Sequence, residues 1–113
     1  MKMVFALIQP FKLEDVTQRL ETVPGLTGIT VSEVRGFGRE HLAATQRQRE
    51  EEIEEFTEKI QIETIVSDAQ VDAVVHAIAS AAHTGRDGDG LIAVLPVERT
   101  LRIATFETGM ESA

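Results

Sequence analysis

Lys59-Ile60-Gln61-Ile62-Glu63-Thr64-Ile65-Val66 is the stretch of sequence that decides the fold. Its alternation of apolar and polar residues predicts a strand with one buried face, and Ser67 or Asp68 directly after it is a suitable helix cap. The helix that follows has one apolar stripe, made of Val71, Val74, Val75, Ile78 and Ala82. It ends at a loop with three glycines, and the apolar run Leu91–Leu95 behind that loop is typical of a central strand covered on both faces.

The first half of the chain repeats this order. Val4–Ile8 is apolar and β-prone, which predicts a strand, and Pro24-Gly25 ends the helix that comes after it. The apolar residues of that helix, at helical spacing, are Leu13, Val16 and Leu20. Gly28–Arg35 is rich in β-branched residues and its alternation slips at Glu33-Val34, so we predict a strand with a bulge.

Two β-α-β halves predict an α+β fold in a single domain over residues 1–113. The arrangement is the ferredoxin-like split βαβ, with the order βαββαβ and an antiparallel four-stranded sheet that carries two helices on one face. Leu101-Arg102-Ile103 is predicted to be a short extra strand. No third helix is predicted for the other sheet face, so another copy of the chain must cover it and we expect a homo-oligomer.

Composition excludes several classes of function. The net charge of -8, from 19 acidic against 11 basic residues, argues against a nucleic-acid partner, which requires a basic footprint. The chain has no cysteine, so disulfides and thiolate metal sites are excluded. Its apolar N-terminal run is too short for a signal peptide or a membrane span, and we expect a cytoplasmic protein without direct membrane insertion.

A long insertion separates the two halves, over about residues 37–57. It is acidic, and its spacing of Ile53, Phe56 and Ile60 is compatible with a short amphipathic helix from Gln48 onward. The alternative interpretation is a solvated charged loop. Both interpretations stay open, because a structureless loop of this length calls for a functional reason.

The glycine loop Thr84-Gly85-Arg86-Asp87-Gly88-Asp89-Gly90 is the candidate ligand site. Glycines at a helix-to-strand junction let backbone N–H groups approach an anion closely, as in loops that hold phosphate. A helix C-cap followed by a turn is the alternative reading of the same residues. A second glycine pair, Gly36-Phe37-Gly38 with Arg39 behind it, ends a strand in the opposite half of the chain.

Four stretches in this order resemble the PII family of signal-transduction proteins. They are Pro10-Phe11-Lys12-Leu13, Gly28-Ile29-Thr30-Val31-Ser32-Glu33-Val34-Arg35-Gly36-Phe37-Gly38-Arg39, Lys59-Ile60-Gln61-Ile62-Glu63, and the loop at 84–90. The resemblance implies a ferredoxin-like homotrimer that binds adenine nucleotides (ADP, AMP or ATP) in clefts between subunits. It also implies that the 37–57 loop docks a regulated partner, either a membrane transporter or a metabolic enzyme, in the regulation of nitrogen use.

The resemblance places the nucleotide between the 84–90 loop of one subunit and strand ends of its neighbour. The implied nucleotide-binding residues are Gly36, Phe37, Gly38, Arg39, Ile65, Thr84, Arg86, Gly88, Asp89, Gly90 and Arg102. In this picture Gly88, Asp89 and Gly90 offer backbone N–H groups to phosphates, and Arg102 reaches in from the neighbouring subunit. The Asp87 and Asp89 carboxylates would repel phosphate, so we expect them to turn away and brace the loop.

Three departures from the family pattern bear on the ligand. Leu91 and Ala104 stand where the family usually has cations that face phosphates, which weakens triphosphate binding most. Glu40 stands in place of a glutamine that helps to hold Mg-ATP and 2-oxoglutarate. A carboxylate there can ligate Mg²⁺, yet it repels the dicarboxylate, although Lys59 matches the family lysine of that effector site.

The residues also bear on other classes of function. No catalytic residues are expected, because a base with a positioned water is missing near the glycine loops and the chain lacks the asparagine that acyl phosphate hydrolases of this fold need. His41, His76 and His83 have no i, i+4 spacing, so no metal site is expected. A protein-interaction module without nucleotide and an AMP or ADP sensor tied to bicarbonate uptake remain as alternatives.

Overall fold

The computed structural model describes residues 1–36 and 57–109. Their regular elements are β1 (Lys2–Ile8), α1 (Leu13–Glu21), β2 (Thr30–Gly36), β3 (Thr57–Val66), α2 (Val71–Ala82) and β4 (Gly90–Pro96). Short 3₁₀ turns precede α1, α2 and β4, at Pro10–Lys12, Asp68–Gln70 and Asp87–Asp89. The predicted helix from Gln48 onward and most of the 37–57 loop lie outside the described residues, while Thr57 already belongs to β3.

The four strands form one antiparallel sheet in the order β2-β3-β1-β4. β1 lies in the middle and pairs with β3 from Lys2 opposite Val66 to Ile8 opposite Ile60. On its other side it pairs with β4, from Lys2 opposite Pro96 to Ile8 opposite Gly90. With two helices on one face, this confirms the predicted ferredoxin-like split βαβ.

The core lies between the sheet and the two helices. Alternate residues of β1 and β3 are buried, as the period of a strand demands, and they meet the apolar stripes of α1 and α2. The most completely buried large side chains are Ile8, Leu20, Ile62, Ile78, Val4, Val16, Val66 and Val74. The one buried polar residue among those described is Thr64, whose hydroxyl donates to the Gly28 carbonyl at 2.7 Å.

Ser67 starts the second helical segment, as predicted. The Gln70 side-chain oxygen accepts hydrogen bonds from the Ser67 N–H at 2.9 Å and the Ser67 hydroxyl at 3.1 Å. Gln70 also donates to the Pro24 carbonyl at 3.2 Å, which ties the end of the α1 connection to the start of α2. Asp68 has another role: it pairs with the Met1 ammonium at 3.1 Å and the Lys2 ammonium at 3.2 Å, and these groups lower its pKa.

Three sequence-based predictions were wrong in detail. β2 begins at Thr30 and pairs without interruption from Thr30 opposite Glu63 to Gly36 opposite Thr57, so the bulge at Glu33-Val34 is not formed. β4 is an edge strand of this chain and not a central one, and its Leu91 and Leu95 are 54% and 41% exposed. An isolated bridge between Leu101 and Thr108 encloses a turn where a short strand was predicted.

The sheet face away from the helices is apolar over much of its area. The register places the side chains of Met3, Phe5, Leu7, Leu91, Ala93 and Leu95 on that face. The described elements do not cover it, since both helices pack on the opposite side. An apolar face of this kind is normally covered by another molecule.

Candidate functional site

The loop between α2 and β4 is closed around one carboxylate. Asp89 accepts hydrogen bonds from the N–H groups of Thr84 at 2.7 Å and Gly85 at 2.8 Å, and from the Thr84 hydroxyl. The Thr84 hydroxyl oxygen in turn accepts from the Arg86 N–H at 3.3 Å. The Asp89 carboxylate is therefore directed into the loop, as the sequence predicted, and leaves the outer surface of the loop to other groups.

This hydrogen bonding stabilises the charged form of Asp89. The Thr84 hydroxyl, followed by the N–H groups of Thr84 and Gly85, lowers the pKa of Asp89 to about 2. His83, whose Nδ1 lies 3.8 Å from the carboxylate, contributes less. The loop consequently keeps its ionised brace throughout the neutral and mildly acidic range.

Gly90 is required by the approach of the loop to β1. Its φ is +109°, and a Cβ there would lie 1.8 Å from the Leu7 carbonyl oxygen, which is backbone and cannot move aside. Gly85, at φ +90°, also has a conformation that favours glycine. The glycine spacing that marked this loop in the sequence therefore has a steric cause at these two positions.

The Gly88 carbonyl is held by two side chains from other elements. Gln9, just after β1, donates its Nε2 to it at 2.6 Å, and Lys59, near the start of β3, donates its Nζ at 2.6 Å. We call these three residues the Gly88 clasp. The sequence-based reading placed Lys59 at an effector site and did not include Gln9 at all; its only signal was a polar residue at the end of an apolar strand.

One predicted role within the loop needs correction. Asp89 was expected to offer its backbone N–H to a phosphate, but that N–H already donates to the Arg86 carbonyl at 3.1 Å. The peptide between Gly88 and Asp89 is thus engaged at both ends, by the clasp and by the loop itself. Asp89 acts here as the brace of the loop.

The predicted site residues fall at two ends of the sheet. Gly36, Lys59 and the 84–90 loop lie at the end where Ile8 faces Ile60 and Gly90. Ile65 pairs with Met3 toward the opposite end. Phe37, Gly38, Arg39 and Glu40 lie outside the described residues.

Arg102 also lies at the opposite end. The chain leaves β4 at Pro96, and Val97 donates its N–H to the Met1 carbonyl at 3.2 Å. The Arg102 N–H donates to the Glu107 carbonyl at 2.9 Å, and its carbonyl accepts from Phe106 at 2.8 Å, which closes the exposed turn. Six residue steps of β4 at about 3.3 Å each separate the two ends by roughly 20 Å.

Comparison with known proteins identifies the family. The family model described as "Nitrogen regulatory protein P-II" matches residues 1–107. This chain belongs to the P-II family. Proteins of that name from Nostoc punctiforme and Rhizobium meliloti are 49% and 44% identical to it, and each alignment covers 99% of both chains.

A solved structure supports the same assignment. The Arabidopsis thaliana PII bound to citrate superposes with a TM-score of 0.80 at 33% sequence identity, over 99% of this chain and 91% of that one. The P-II fold is therefore shared along with the sequence. As a member of this family, the chain is a signalling and regulatory protein of nitrogen metabolism.

The P-II chain has two hollows beside the glycine loop. One, of about 340 Å³, lies between the end of β2 and the start of β3 and is lined by Pro10, Glu33, Val34, Arg35, Glu58, Lys59 and Ile60. The other, of about 220 Å³, lies between α2 and β4 and includes His83, Asp89 and Gly90. Lys59 of the Gly88 clasp also lines the first hollow, so its ammonium group contacts both the loop and that hollow.

Within residues 1–36 and 57–109, no group of three or more His, Cys, Asp or Glu residues could hold a metal ion. Neither α1 nor α2 is long and apolar enough to cross a membrane.

Proposed function

We propose that this P-II protein binds an adenine nucleotide at its 84–90 loop and signals the bound state to a regulated transporter or metabolic enzyme through the 37–57 loop. The observation that carries the proposal is the closed loop itself, in which Asp89 accepts from Thr84 and Gly85 and so points its charge away from a ligand. A loop ordered before binding loses little entropy when an anion arrives. The role is that of a cytoplasmic regulator and not of an enzyme.

The separation of the site residues supports a cleft between copies of the chain. Arg102 and Ile65 lie roughly 20 Å from the loop end of the sheet in the same chain, as β-strand geometry requires. We propose that the neighbouring subunit of a homotrimer supplies them. The apolar open face, with Leu91 and Leu95 exposed, is the surface through which such copies would pack.

The proposed preference is for ADP or AMP at least as strongly as for ATP. Leu91 and Ala104 leave the γ-phosphate to Arg39, Arg86 and backbone N–H groups, and a net charge of -8 disfavours the more anionic ligand. Glu40 should repel 2-oxoglutarate, so this effector is expected to add little to ATP affinity. Mg²⁺ remains compatible with a carboxylate at position 40.

Titration calorimetry on the full chain tests the proposal. ATP, ADP and AMP are the probes, each with and without Mg²⁺ and 2-oxoglutarate, and citrate is added because the similar Arabidopsis protein was solved with it. Gly88→Trp should abolish binding by filling the loop, and Arg102→Ala should weaken it about tenfold or more through a lost charge-assisted contact. Arg19→Ala, which removes an exposed arginine that donates to Ser80, is the control.

Two results would replace the proposal. Unchanged affinity in both Gly88→Trp and Arg102→Ala would mean that the nucleotide binds elsewhere. ATP favoured tenfold or more over ADP, or 2-oxoglutarate bound strongly with Mg-ATP, would restore the usual nitrogen-sensing ligand set.

The missing cations favour one second candidate, an AMP or ADP sensor connected with inorganic-carbon uptake. Bicarbonate in the same titrations separates it from the first, since only that candidate predicts a bicarbonate effect on nucleotide affinity. A chain that binds none of these ligands would be a protein-interaction module.

A further inference from the structure

Gln9 has an extended backbone conformation that is favoured by the proline after it. Pro10 follows it, and the ring of a proline disfavours the helical region for the residue before it. Gln9 accordingly has φ -66° and ψ 139°, and its carbonyl accepts the Lys12 N–H at 3.0 Å at the start of the Pro10–Lys12 turn. Gln9 therefore lies between β1 and the Pro10–Lys12 turn, and its carboxamide can extend toward another part of the chain.

The target of that carboxamide is the Gly88 carbonyl, 79 residues away along the chain. A carbonyl oxygen can only accept, so the nitrogen of the Gln9 amide must face it. The contact is 2.6 Å long and half-buried, and a Cβ on Gly88 would lie 2.8 Å from Gln9 Nε2. A side chain at position 88 would therefore displace the end of the Gln9 side chain and disturb the clasp.

The bond from Gln9 affects the next residue of the loop. Gly88 C=O and Asp89 N–H belong to one peptide plane, and Asp89 N–H donates to the Arg86 carbonyl at 3.1 Å. Hydrogen bonds at the two ends of one peptide polarise it and strengthen each other. Gln9 and Arg86 together therefore fix the orientation of the peptide on which the Asp89 brace depends.

Lys59 is the second donor to the same oxygen, but it is a different kind of donor. Its ammonium is a charge on a flexible stem with three N–H groups, so an anion in the adjoining hollow can attract it. The neutral Gln9 carboxamide does not respond to charge in this way. If Lys59 turns toward an anion, Gln9 still holds the Gly88 carbonyl.

We propose that Gln9 is the positioning residue of the 84–90 loop. It keeps the peptide between Gly88 and Asp89 in place while Lys59 is free to engage an anionic ligand. Its effect on nucleotide affinity rests on the proposed function, whereas its effect on the order of the loop does not.

The first test reads the loop directly. In ¹⁵N-labelled full-length protein, the Asp89 amide resonance reports hydrogen bonding to the preceding carbonyl, and its hydrogen exchange reports loop opening. Gln9→Glu keeps the size of the side chain but replaces the donor with an acceptor, and Gln9→Ala removes it. We expect both variants to shift the Asp89 amide resonance and to speed its exchange severalfold. Gln18→Glu, at an exposed position of α1, is the control with the same charge change as Gln9→Glu.

The second test uses ADP in titration calorimetry. Loss of one hydrogen bond that positions the loop should weaken ADP binding about three- to tenfold in Gln9→Ala. Because Gln9 and Lys59 share one acceptor, the effect of Gln9→Ala on Asp89 amide exchange should be larger in a Lys59→Met background than alone.

The outcomes distinguish the two proposals. An Asp89 amide that stays in place in Gln9→Glu, or moves equally in Gln18→Glu, overturns the positioning role whatever the nucleotide does. If the wild-type protein binds no adenine nucleotide, the proposed function fails, and the amide shift still decides whether Gln9 holds the loop.

Discussion

The two ends of the four-stranded sheet differ in their hydrogen bonding and in the exposure of their apolar side chains. At the loop end, polar groups find their partners within the chain: Asp89 braces the 84–90 loop, and Gln9 and Lys59 hold Gly88. At the far end, the turn after β4 leaves Ile103 88% exposed and Phe106 77% exposed. The far end therefore carries the more exposed apolar side chains of the two ends.

Under the proposed function, the two ends have different roles: one recognises the ligand and the other packs against a neighbouring molecule. A closed, polar loop is suited to recognise a ligand, because its shape exists before the ligand arrives. An exposed apolar turn with an arginine at position 102 is suited to pack against another molecule. A single chain cannot bring the two ends together, so contact between them requires a second copy.

Gly90→Ala should have the largest effect, at the loop end. The added Cβ would lie 1.8 Å from the Leu7 carbonyl oxygen, and the φ of +109° is strained for alanine, so we expect a loss of about 3 kcal/mol or more in the free energy of unfolding. Urea unfolding at fixed protomer concentration measures it. Gly28→Ala, which meets no atom within 4 Å, is the control, and equal midpoints for the two variants would contradict the steric argument.

Leu95→Asp should prevent copies of the chain from packing through the open sheet face. A charge on this apolar surface should convert a trimer, of about three times the 12.4 kDa chain mass, to monomers in sedimentation velocity at micromolar concentration. Val31→Asp is a matched control: Val31 is also 41% exposed, and its register opposite Ile62 places it on the helix side. A monomeric wild-type protein, or equal dissociation of both variants, would refute packing through this face.

Mixing two variants that bind nucleotide poorly tests whether the loop end of one chain meets the far end of another. Gly88→Trp fills the 84–90 loop, and Arg102→Ala removes the charged group at the far end. Each variant alone should therefore bind nucleotide poorly. In a trimer that contains both variants, one of the three clefts combines an intact loop with an intact Arg102 and should recover binding. Co-expression with two affinity tags followed by ADP titration measures this recovery. No recovery would place both residues in the same subunit's site or in no site at all.

Acid should release the brace of the loop, with the smallest overall effect. The pKa of Asp89 is lowered to about 2 from the ordinary 3.8, so its contribution is complete above about pH 4 and is lost as the pH falls through 2. Carboxyl ¹³C shifts and exchange of the Thr84 and Gly85 amides follow the change. Thr84→Val removes the first of the donors and should raise the pKa of Asp89. Thr22→Val, directly after α1, removes a hydroxyl that donates to the Arg19 carbonyl and should leave that pKa unchanged.

Much of the fold could be predicted because its signals are local. The apolar, β-prone run Val4–Ile8, the alternation in Lys59–Val66 and the stripe of α2 are features of neighbouring residues, and the structure contains each of these elements. The bulge at Glu33-Val34 failed for the opposite reason. Pairing with β3 keeps β2 in regular register, and that partner lies outside the window from which the bulge was predicted.

The apolar run of β4 shows where composition misleads. Leu91–Leu95 has the composition of a strand buried on both sides, yet β4 is at the edge of the sheet. Its apolar residues fill the open face of the chain as well as the core. An apolar composition is therefore compatible with a central strand or with an edge strand that has an exposed apolar face, and it does not distinguish the two positions.

The sequence by itself determined the order of the main strands and helices, the position of the glycine loop and the inward role of Asp89. Each follows from the period of a strand or helix, or from the chemistry of residues within one loop. Only the tertiary structure decided that Gly90 must pass the Leu7 carbonyl, that Gln9 and Lys59 meet on one oxygen of Gly88, and that Arg102 lies far from that oxygen. These facts depend on strand register, which is set by the packing of the whole sheet and helices and is not encoded in any one segment.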